Sequence, residues 1–572
     1  MAPPGAAPAR PLRSARGARY ACARPAPWRG SHTHSGAQSL ATESVAPSPA
    51  LAPLYGPVFR MLWLAWLAAN VTMWMNEVAS AWVMTSLTDS ALMVALVQAA
   101  STLPVFLLGL PSGALADIVD RRRYFAFTQV WVSAVAIVLA ALSFSGALTA
   151  PLLLALTCAN GIGMAMRWPV FAAIVPDVVP RPELPAALAL NGIAMNMSRV
   201  VGPVIAGTII AGVGSPYVFL LNAALAVVAF ALILQWRAAP KVSALPGERF
   251  FAAMRVGLQH VVQAPRMRIV LLRIFLFFLQ ASALTALLPL VARRLSSDGP
   301  GTYTALLAAM GAGAILLALS LPRLRRHMGH DAQVYWGTGV HAVASATAAL
   351  ATSTWLAVAA SFVAGMAWIG TANTLTVSAQ MALPNWVRAR GMAIYQMALM
   401  GGIATGSALW GYVASLGTVT ASILAASLAG PLVLLLTRRL GAGGAHHEDL
   451  SPAAPTVTAP PAVDVGADEG PVMVTVEYLI DPARAAEFKA VMQETRRARL
   501  RQGALSWGLF RDAAQPGRYI EYFLDENWIE HQRRLERFTA ADAGLRERRL
   551  AFHQGTELPR TRRYVAESMR GA

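Results

Sequence analysis

Residues 113–123, Gly-Ala-Leu-Ala-Asp-Ile-Val-Asp-Arg-Arg-Arg, close an apolar run that begins at Ala91. The run is long enough to cross a hydrocarbon core about 30 Å thick, which takes roughly 20 residues of helix. Gly109 and Gly113 are four residues apart, a spacing that lets a second helix approach closely in lipid. The pattern predicts a membrane-spanning helix in which Asp117 lies where the hydrocarbon ends and the arginines follow in a tight loop.

Apolar runs of similar length follow one another almost without interruption from Pro57 to Arg438. The chain of 572 residues is 56% hydrophobic and only 13% charged, which excludes a soluble protein built of several globular domains. We expect twelve membrane-spanning helices in this region, with polar segments before and after it. The two cysteines, Cys22 and Cys158, offer neither a disulfide framework nor a metal site.

The basic residues of the central region lie in alternate loops. The net charge of +18 does not indicate nucleic-acid binding, because these residues form no surface stripe interleaved with aromatic side chains. Loops after the odd-numbered runs contribute only Arg293 and Arg294. The positive-inside rule therefore places the even loops and both termini in the cytoplasm, for a multi-pass protein of the plasma (inner) membrane. The basic residues of the even loops are Arg121, Arg122, Arg123, Arg181, Arg237, Lys241, Arg249, Arg255, Arg266, Arg268, Arg323, Arg325, Arg326, Arg388 and Arg390.

Composition and spacing divide the chain into six segments. We expect the first segment to be disordered. Its Arg-rich, acid-poor composition is also typical of an organellar transit peptide, and a start codon placed too early is a further alternative. Glu248–Gln263 has apolar residues at helical spacing, which predicts an amphipathic surface helix between two bundles. The segments are a disordered basic tail (1–56), a six-helix bundle (57–237), a cytoplasmic linker with that helix (238–268), a second six-helix bundle (269–438), a flexible linker (439–470) and a cytoplasmic α+β domain (471–572).

The two predicted bundles carry an internal repeat. Small residues recur at the same intervals in the fifth run of each half, where they allow close helix contacts. Ordinary helix packing explains any one of them, but the shared offset favours duplicated halves. Such halves, rocking about a cavity near the midplane, are the construction of secondary transporters. A shift of 204 residues places Pro180 on Pro384, Ala194 on Ala398, Ser198 on Gly402, Gly202 on Gly406 and Gly207 on Gly411.

Asp117 and Arg121 are the candidate moving parts of the first basic loop. An acid at this depth can accept hydrogen bonds from the N-terminal end of a nearby helix while it pairs with Arg121, and such a contact can be made and broken. An ordinary topology loop with a solvated acid is the alternative. Gly113, Leu115, Asp117 and Arg121 resemble the loop signature of the major facilitator superfamily, Gly-x-Leu-x-Asp followed by Arg. The resemblance implies a cytoplasmic gate between the halves. The equivalent loop of the second half, residues 317–326, keeps the basic residues but lacks the Gly and Asp. We therefore expect the breakable contact, a latch, only in the first half.

The fifth run of the first half holds Ser198, Arg199, Gly202, Pro203 and Gly207. A proline within a helix removes one backbone hydrogen bond and, beside a glycine, gives a point that can bend. The block resembles the antiporter motif of the same superfamily, with a serine in place of its usual first glycine. The resemblance favours export, and simple helix packing is the alternative.

Ionisable side chains inside the runs are few, and each is costly enough in lipid to suggest a role. Glu77 in the first run is predicted to exchange a proton or to pair with a cationic substrate; the alternative is a carboxylate near the outer mouth, in contact with water. Arg167 and Arg199 are candidates to bind an anionic substrate or to pair with Glu77. We expect Arg273 to reach the membrane interface and His341 to be a hydrogen-bonded packing residue.

Residues 74–123 resemble one branch of the superfamily, the transmembrane secretion effectors, similar to the enterobactin exporter. The tail carries the pattern of the same branch at Trp528–His531 and Arg537–Asp542. Its predicted order β-α-β-β-α-β resembles the ferredoxin-like dimeric barrel of antibiotic-biosynthesis monooxygenases, which implies a homodimer through this domain. His531 has no nearby nucleophile or metal-ligand cluster, and we expect a solvated helix histidine.

Together, these patterns predict a proton-coupled exporter of small organic molecules, such as siderophores or drugs, that works by alternating access. The chain contains no phosphate-binding loop of the Gly-x-x-x-x-Gly-Lys-Ser/Thr type, so an ion gradient would supply the energy. The expected partners are a small-molecule substrate, protons and the bilayer. We expect no catalytic residue, metal or cofactor. The alternatives are an importer with the same fold, and a membrane-tethered enzyme or regulator acting through the C-terminal domain.

Overall fold

A computed structural model of the chain describes residues 51–235, 250–296, 299–436, 449–453 and 461–567. The predicted tail before residue 51 and most of the predicted linker 439–470 lie outside these ranges. Some residues within helices have a described backbone only. Among them are Asp117 and Arg121, whose side chains lie outside the described part of the chain.

The first bundle is built from helices that are apolar on most of their circumference, as helices surrounded by lipid and other helices must be. Their starts are set by local capping. The Ser90 side chain accepts from the backbone of Met93, and the Asp120 side chain accepts from that of Arg123. The helices are α1 (Ala52–Tyr55), α2 (Pro57–Leu87), α3 (Ala91–Ile118), α4 (Arg121–Phe144), α5 (Ala150–Val178), α6 (Leu184–Gly212) and α7 (Ser215–Gln235).

The second half begins with a short helix, α8, where the sequence predicts the amphipathic linker, and continues with six long helices. Eleven helices of the described chain are long and apolar enough to cross a membrane. The remaining long helix, α11, has a lower mean hydropathy because it contains polar residues such as Gln333 and His341. It nevertheless packs within the bundle, against α12 and α14. The predicted fold of twelve membrane helices in two bundles is confirmed. The helices are α8 (Phe250–Gln263), α9 (Pro265–Leu295), α10 (Gly299–His327), α11 (His330–Leu350), α12 (Thr354–Met381), α13 (Arg388–Leu416) and α14 (Val419–Leu436).

The repeated glycines lie at close contacts between helices. A Cβ atom added at Gly202 of α6 would lie 2.6 Å from the Cβ atom of Trp74 on α2. The equivalent Gly406 of α13 would place it 2.2 Å from the backbone oxygen of Leu279 on α9. Each bundle therefore packs its fifth helix against its first at the same place, with no room for a side chain.

Contacts between the two bundles also follow the repeat. Gly207 of α6 faces Thr304 of α10, and its counterpart Gly411 of α13 faces Ala95 of α3. At the predicted outer ends of α2 and α9, the Arg293 guanidinium donates to the backbone oxygen of Thr85. The halves therefore meet along the pairs α3–α13 and α6–α10.

The C-terminal domain is a four-stranded antiparallel sheet in the order β2-β3-β1-β4, covered on one face by helices. Val472 of β1 pairs with Asp525 of β3 on one side and with Val565 of β4 on the other. This topology is ferredoxin-like, so the predicted α+β architecture is confirmed. The elements are β1 (Val472–Leu479), α15 (Ala485–Arg501), β2 (Ser506–Arg511), β3 (Arg518–Asp525), α16 (Trp528–Glu536), α17 (Ala540–Leu550) and β4 (Arg560–Val565).

The C-terminal domain docks on the linker helix α8. Arg255 Nη2 lies 2.5 Å from Glu526 Oε2, and Gln259 Nε2 donates to the backbone oxygen of Ala504 over 2.7 Å. The guanidinium of Arg537 also lies 5.0 Å from the ring centroid of Trp386, in the loop between α12 and α13. The linker helix is therefore held between the second bundle and the C-terminal domain.

Candidate functional site

The two bundles enclose a central cavity of about 300 Å³. Its wall is mostly apolar and aromatic, with Trp74 and Trp168 from the first bundle and Phe278 and Trp368 from the second. A cavity of this size, apolar with a few polar groups, is typical of a site for a small organic molecule. Its position between duplicated halves is where alternating access requires a binding site.

Glu77 and Arg199 line this cavity together. The close approach at Gly202 brings α6 against α2, and the Arg199 guanidinium lies 5.1 Å from the ring centroid of Trp74, one turn before Glu77. The two side chains carry opposite charges and face the same cavity. An acid and a base within a membrane compensate each other, which lowers the cost of burying either one.

Arg167 does not join this pair. It lies on α5 with its side chain 1% exposed, and it lines a small side pocket of the first bundle. The guanidinium carbon lies 5.7 Å from the ring centroid of Trp66. The structure therefore divides the three predicted candidates into a cavity pair and a separate buried cation.

The block that resembles an antiporter motif contains both cavity-lining residues and packing residues. Arg199 and Pro203 line the cavity. Ser198 is fully buried and its hydroxyl donates to the backbone oxygen of Ala194 over 2.8 Å, while Gly202 and Gly207 face neighbouring helices. One helix thus carries site residues on one face and packing residues on the other.

The predicted cytoplasmic gate remains a prediction, because the side chains of Asp117 and Arg121 lie outside the described part of the chain. Gly113 lies in the last turns of α3. Beside the gate, the Asp120 side chain caps α4 by accepting from the backbone of Arg123 over 2.8 Å. Arg122 Nη2 donates to the backbone oxygen of Leu234 at the end of α7 over 2.6 Å.

Arg273, which the sequence predicts to reach the membrane interface, extends to the first turn of α11, where its Nη1 lies 2.5 Å from Asp331 Oδ1 and its Nη2 lies 3.4 Å from the Tyr335 hydroxyl. The guanidinium is buried, and the half-exposed carboxylate of Asp331 compensates its charge. Its position relative to the membrane surface stays a prediction. His341 is fully buried, and its Nδ1 lies 3.2 Å from Gln280 Nε2, as expected of a hydrogen-bonded packing residue.

Gln98 on α3 is a site residue that the sequence reasoning missed. It lines the cavity, and its Oε1 accepts from the Thr285 hydroxyl over 3.1 Å and from the Ser407 hydroxyl over 3.0 Å. Gln98 therefore ties the first bundle to α9 and α13 of the second. A lone amide inside an apolar run was the signal that could have revealed it.

The helical face of the C-terminal domain buries a charged cluster. The Glu521 carboxylate accepts from Arg499 Nε over 3.0 Å and from Trp507 Nε1 over 3.1 Å. Burial by itself would raise the pKa of Glu521, but Arg499, Arg549 and these hydrogen bonds prevail and lower it from 4.5 to about 2. Glu521 is therefore charged at neutral pH and holds the helices on the sheet.

His531 was expected to be a solvated helix histidine, and that prediction is wrong. Its side chain is 3% exposed, and Nδ1 lies 2.8 Å from Asp525 Oδ2. Arg534 Nε donates to the same carboxylate over 2.9 Å. The side chain points at the sheet because α16 crosses the end of β3, so His531 belongs to the buried ionic cluster.

A family model described as transmembrane secretion effector matches residues 48–570. The chain belongs to the transmembrane secretion effector family. The match includes the C-terminal domain, so the tail is part of what this family shares. Together with the fold, this makes the chain a membrane transporter of the major facilitator type and not an enzyme.

Among curated proteins, the staphyloferrin A transporter of Staphylococcus aureus (strain NCTC 8325 / PS 47) is 23% identical over 258 residues. The aligned part covers 45% of this chain and 64% of that transporter, so the match spans less than two thirds of the relative.

Among solved structures, the nucleoside transporter NupG aligns with a TM-score of 0.54 at 12% identity, over 67% of this chain and 99% of that one. A bacterial homologue of the human lysosomal transporter Spinster, in an inward-facing and occupied conformation, aligns with a TM-score of 0.54 at 15% identity, over 68% of this chain and 98% of that one. At these identities the likeness shows the fold alone.

Proposed function

We propose that this transporter exports a small amphipathic organic molecule in exchange for protons, by alternating access. The observation that carries the proposal is the pair Glu77 and Arg199 in a cavity enclosed by both bundles. A carboxylate there can be reached from only one side of the membrane at a time if the bundles rock about the cavity. It can therefore take up a proton on one side and release it on the other.

Exchange follows if Glu77 holds either a proton or a cationic or hydrogen-bond-donating group of the substrate, but not both. On the cytoplasmic side, the substrate displaces the proton from the carboxylate. On the outer side, a proton displaces the substrate. Arg199 compensates the ionised carboxylate when neither a proton nor a substrate is bound, which lowers the electrostatic cost of that intermediate state.

The wall of the cavity indicates the substrate class. Indole and phenyl rings from both bundles favour flat or apolar parts of a ligand, while Glu77, Arg199 and Gln98 provide a few polar contacts. This composition suits a siderophore or a drug-like molecule. The name of the staphyloferrin A transporter supports the siderophore class.

The resemblance of the 198–207 block to an antiporter motif and the family description support export over import. Fifteen basic residues in the even loops, against two in the odd loops, support an orientation with both termini in the cytoplasm, for a protein of the plasma (inner) membrane. The docked C-terminal domain would then lie on the cytoplasmic side.

We also propose that the C-terminal domain pairs with a second copy of the chain. The sheet face opposite the helices carries apolar side chains, including Met473, Ile520 and Tyr522, and the exposed aromatic residues Phe510 and Tyr564. The same face also carries charged residues, Glu477, Arg518, Arg560 and Arg562. A sheet face that combines an apolar patch with charges of both signs supports pairing with a second copy. Tyr522→Arg is expected to convert a dimer into a monomer in detergent, as measured by mass photometry. An unchanged mass would contradict the pairing.

Transport in everted membrane vesicles tests the exchange mechanism. An imposed pH gradient is expected to drive accumulation of a siderophore or cationic drug by the wild-type protein. Glu77→Gln is expected to abolish this uphill accumulation, because an amide cannot give up a proton in exchange for the substrate. Glu77→Asp serves as the control that keeps the carboxylate. Uphill accumulation by Glu77→Gln at the wild-type level would refute the role of Glu77.

A further inference from the structure

A second, smaller pocket opens beside the central cavity, inside the first bundle. It lies between α2, α4, α5 and α7, and its cavity volume is about 20 Å³. Its lining shares Met73, Asn76, Asn160 and Met164 with the central cavity, so the two spaces adjoin. A space of this size holds a single small group, such as one water molecule or one ion.

Arg167 lines this side pocket as a buried cation. Its side chain is 1% exposed, and its Nε and Nη2 atoms have no hydrogen-bond partner among the described residues. No carboxylate lies among the residues that line the pocket. Arg273 in the other bundle differs, because Asp331 compensates its charge.

Asn222 of α7 lines the same pocket with its amide side chain. The residue is 3% exposed, and neither its Nδ2 nor its Oδ1 has a partner in the described structure. Thr72 and Asn76 of α2 and Asn160 of α5 add further polar groups. Unsatisfied donors that converge on a small space are the arrangement that a bound group is expected to complete.

Electrostatics determines which group that is. A guanidinium buried in a membrane without a counter-charge is costly, and a neutral water molecule offsets only part of the cost. An anion with one or two oxygen atoms, or a monatomic anion, compensates the charge and can accept from Arg167 and from Asn222 Nδ2. A phosphate or a larger organic anion is too large for the space.

We propose that the Arg167 side pocket binds one small anionic group, either the carboxylate end of the transported molecule or a free monoanion of chloride size. The carboxylate form rests on the proposed function, since the rest of the substrate would occupy the adjoining central cavity. In that form Glu77 and Arg167 contact opposite ends of one ligand, and the side pocket selects substrates that carry a carboxylate.

Anion binding is tested first without transport. The full-length protein in nanodiscs of zwitterionic lipid is titrated with sodium chloride or sodium formate against sodium gluconate at constant ionic strength, and its melting temperature is recorded. Chloride or formate is expected to raise the melting temperature of the wild type, and Arg167→Gln is expected to weaken that binding at least about tenfold. Arg60→Gln, which removes an exposed positive charge of α2, is the matched control and is expected to respond like the wild type.

Transport then distinguishes the two sources of the anion. A fluorescent aromatic carboxylic acid or its methyl ester is added outside everted vesicles in chloride-free gluconate buffer, and its accumulation in the lumen measures export. If the substrate carboxylate fills the pocket, the acid is exported, chloride inhibits its export, and Arg167→Gln loses export of the acid but not of the ester. If a free ion fills the pocket, export of both compounds requires chloride.

The proposal is overturned if chloride and formate leave the wild type unchanged, or if Arg167→Gln responds to them like the wild type. Should Arg167→Gln fail to fold, Asn222→Leu, which fills the pocket and keeps the cation, is expected to lose the anion response as well, and an intact response there would equally refute the site. Glu77→Gln separates the two hypotheses. Glu77→Gln is expected to lose proton-driven export, which tests the proposed function, and to keep its anion response, which tests the side pocket. A wild-type protein that exports uphill but shows no anion response would refute the side pocket and leave the proposed function intact.

Discussion

The two bundles share their packing but not their chemistry. Gly202 and Gly406 bring the fifth helix of each bundle against its first helix in the same way, and Gly207 and Gly411 face the opposite bundle. Arg199, however, has Ile403 as its counterpart at the shift of 204 residues. Among the described residues that line the central cavity, both ionisable acid–base partners, Glu77 and Arg199, come from the first bundle, and the second contributes uncharged side chains.

This difference indicates which constraints act on each bundle. Close helix packing in lipid depends on small residues at fixed intervals, so both bundles must keep them. A charge in the wall of the central cavity is costly, and we expect it there only if the transport cycle uses it. The second bundle therefore contributes mainly an apolar, aromatic wall to the cavity.

The largest effect is expected at the repeated glycines. Valine at Gly406 or at Gly202 would place a side chain within 2.2 or 2.6 Å of a neighbouring helix, and we expect each variant to lose about 3 kcal/mol or more of stability. Gly192→Val in α6 is the control, because nothing lies within 4 Å of that position. Fluorescence-detected size-exclusion chromatography measures the folded fraction. Full tolerance at one of the two repeat positions would break the packing equivalence of the bundles.

The next largest effect is expected at the positions where the bundles differ. Arg199→Gln leaves Glu77 without its cation in the cavity, and we expect uphill export to fall at least tenfold, or about 1.4 kcal/mol. Ile403→Met, at the equivalent place in the second bundle, keeps the cavity wall apolar and is expected to stay within about twofold of the wild type. Initial rates in vesicles, normalised to protein level, provide the measurement. Equal losses in the two variants would show that the asymmetry of charge has no role in transport.

The buried charges of the C-terminal domain provide a contrast with those of the cavity, because they stabilise structure in a domain that contacts water. The pKa of Glu521 is about 2 in the folded protein and about 4.5 when unfolded, so ionisation contributes stability above about pH 4.5. As the pH falls from 4.5 towards 2, the domain is expected to lose on the order of 3 kcal/mol.

Hydrogen–deuterium exchange of β3 in the full-length protein, corrected for the pH dependence of the chemical exchange rate, measures this loss. Glu521→Gln is expected to raise exchange already at neutral pH, because Arg499 then lacks its counter-charge. Glu494→Gln breaks an exposed pair with Arg548 and is the control. A domain equally stable at pH 3 and pH 7 would contradict the structural role of Glu521.

A smaller effect is expected at the predicted gate. Asp117→Asn is expected to slow export several-fold with normal expression, because a latch that forms and breaks with the cycle loses its charge. Asp331→Asn in the second bundle is the comparison. It removes the partner of the buried Arg273, so it is expected to lower the melting temperature rather than the turnover of the protein that remains folded. Wild-type turnover in Asp117→Asn would remove the gate assignment.

Sequence reasoning was most successful where one physical requirement dominates. The need to bury backbone groups in lipid made the long helices and the two bundles predictable, and the spacing of small residues indicated where helices meet. It failed for His531, which is buried against Asp525 at the end of the preceding strand, and it missed Asp331 as the partner of Arg273, because the two residues are distant in sequence. Gln98 was overlooked for the same reason, since its partners lie on α9 and α13.

The sequence alone determined that this chain crosses a membrane many times, that its halves are related and that it ends in an α+β domain, because hydropathy and periodicity are local properties of a chain. Only the tertiary structure decided that Glu77 and Arg199 share a cavity while Arg167 occupies a separate pocket. It also decided that the C-terminal domain rests on the linker helix. These facts depend on which helix faces move together in space, and no local pattern in the sequence encodes the distance between two charges on different helices.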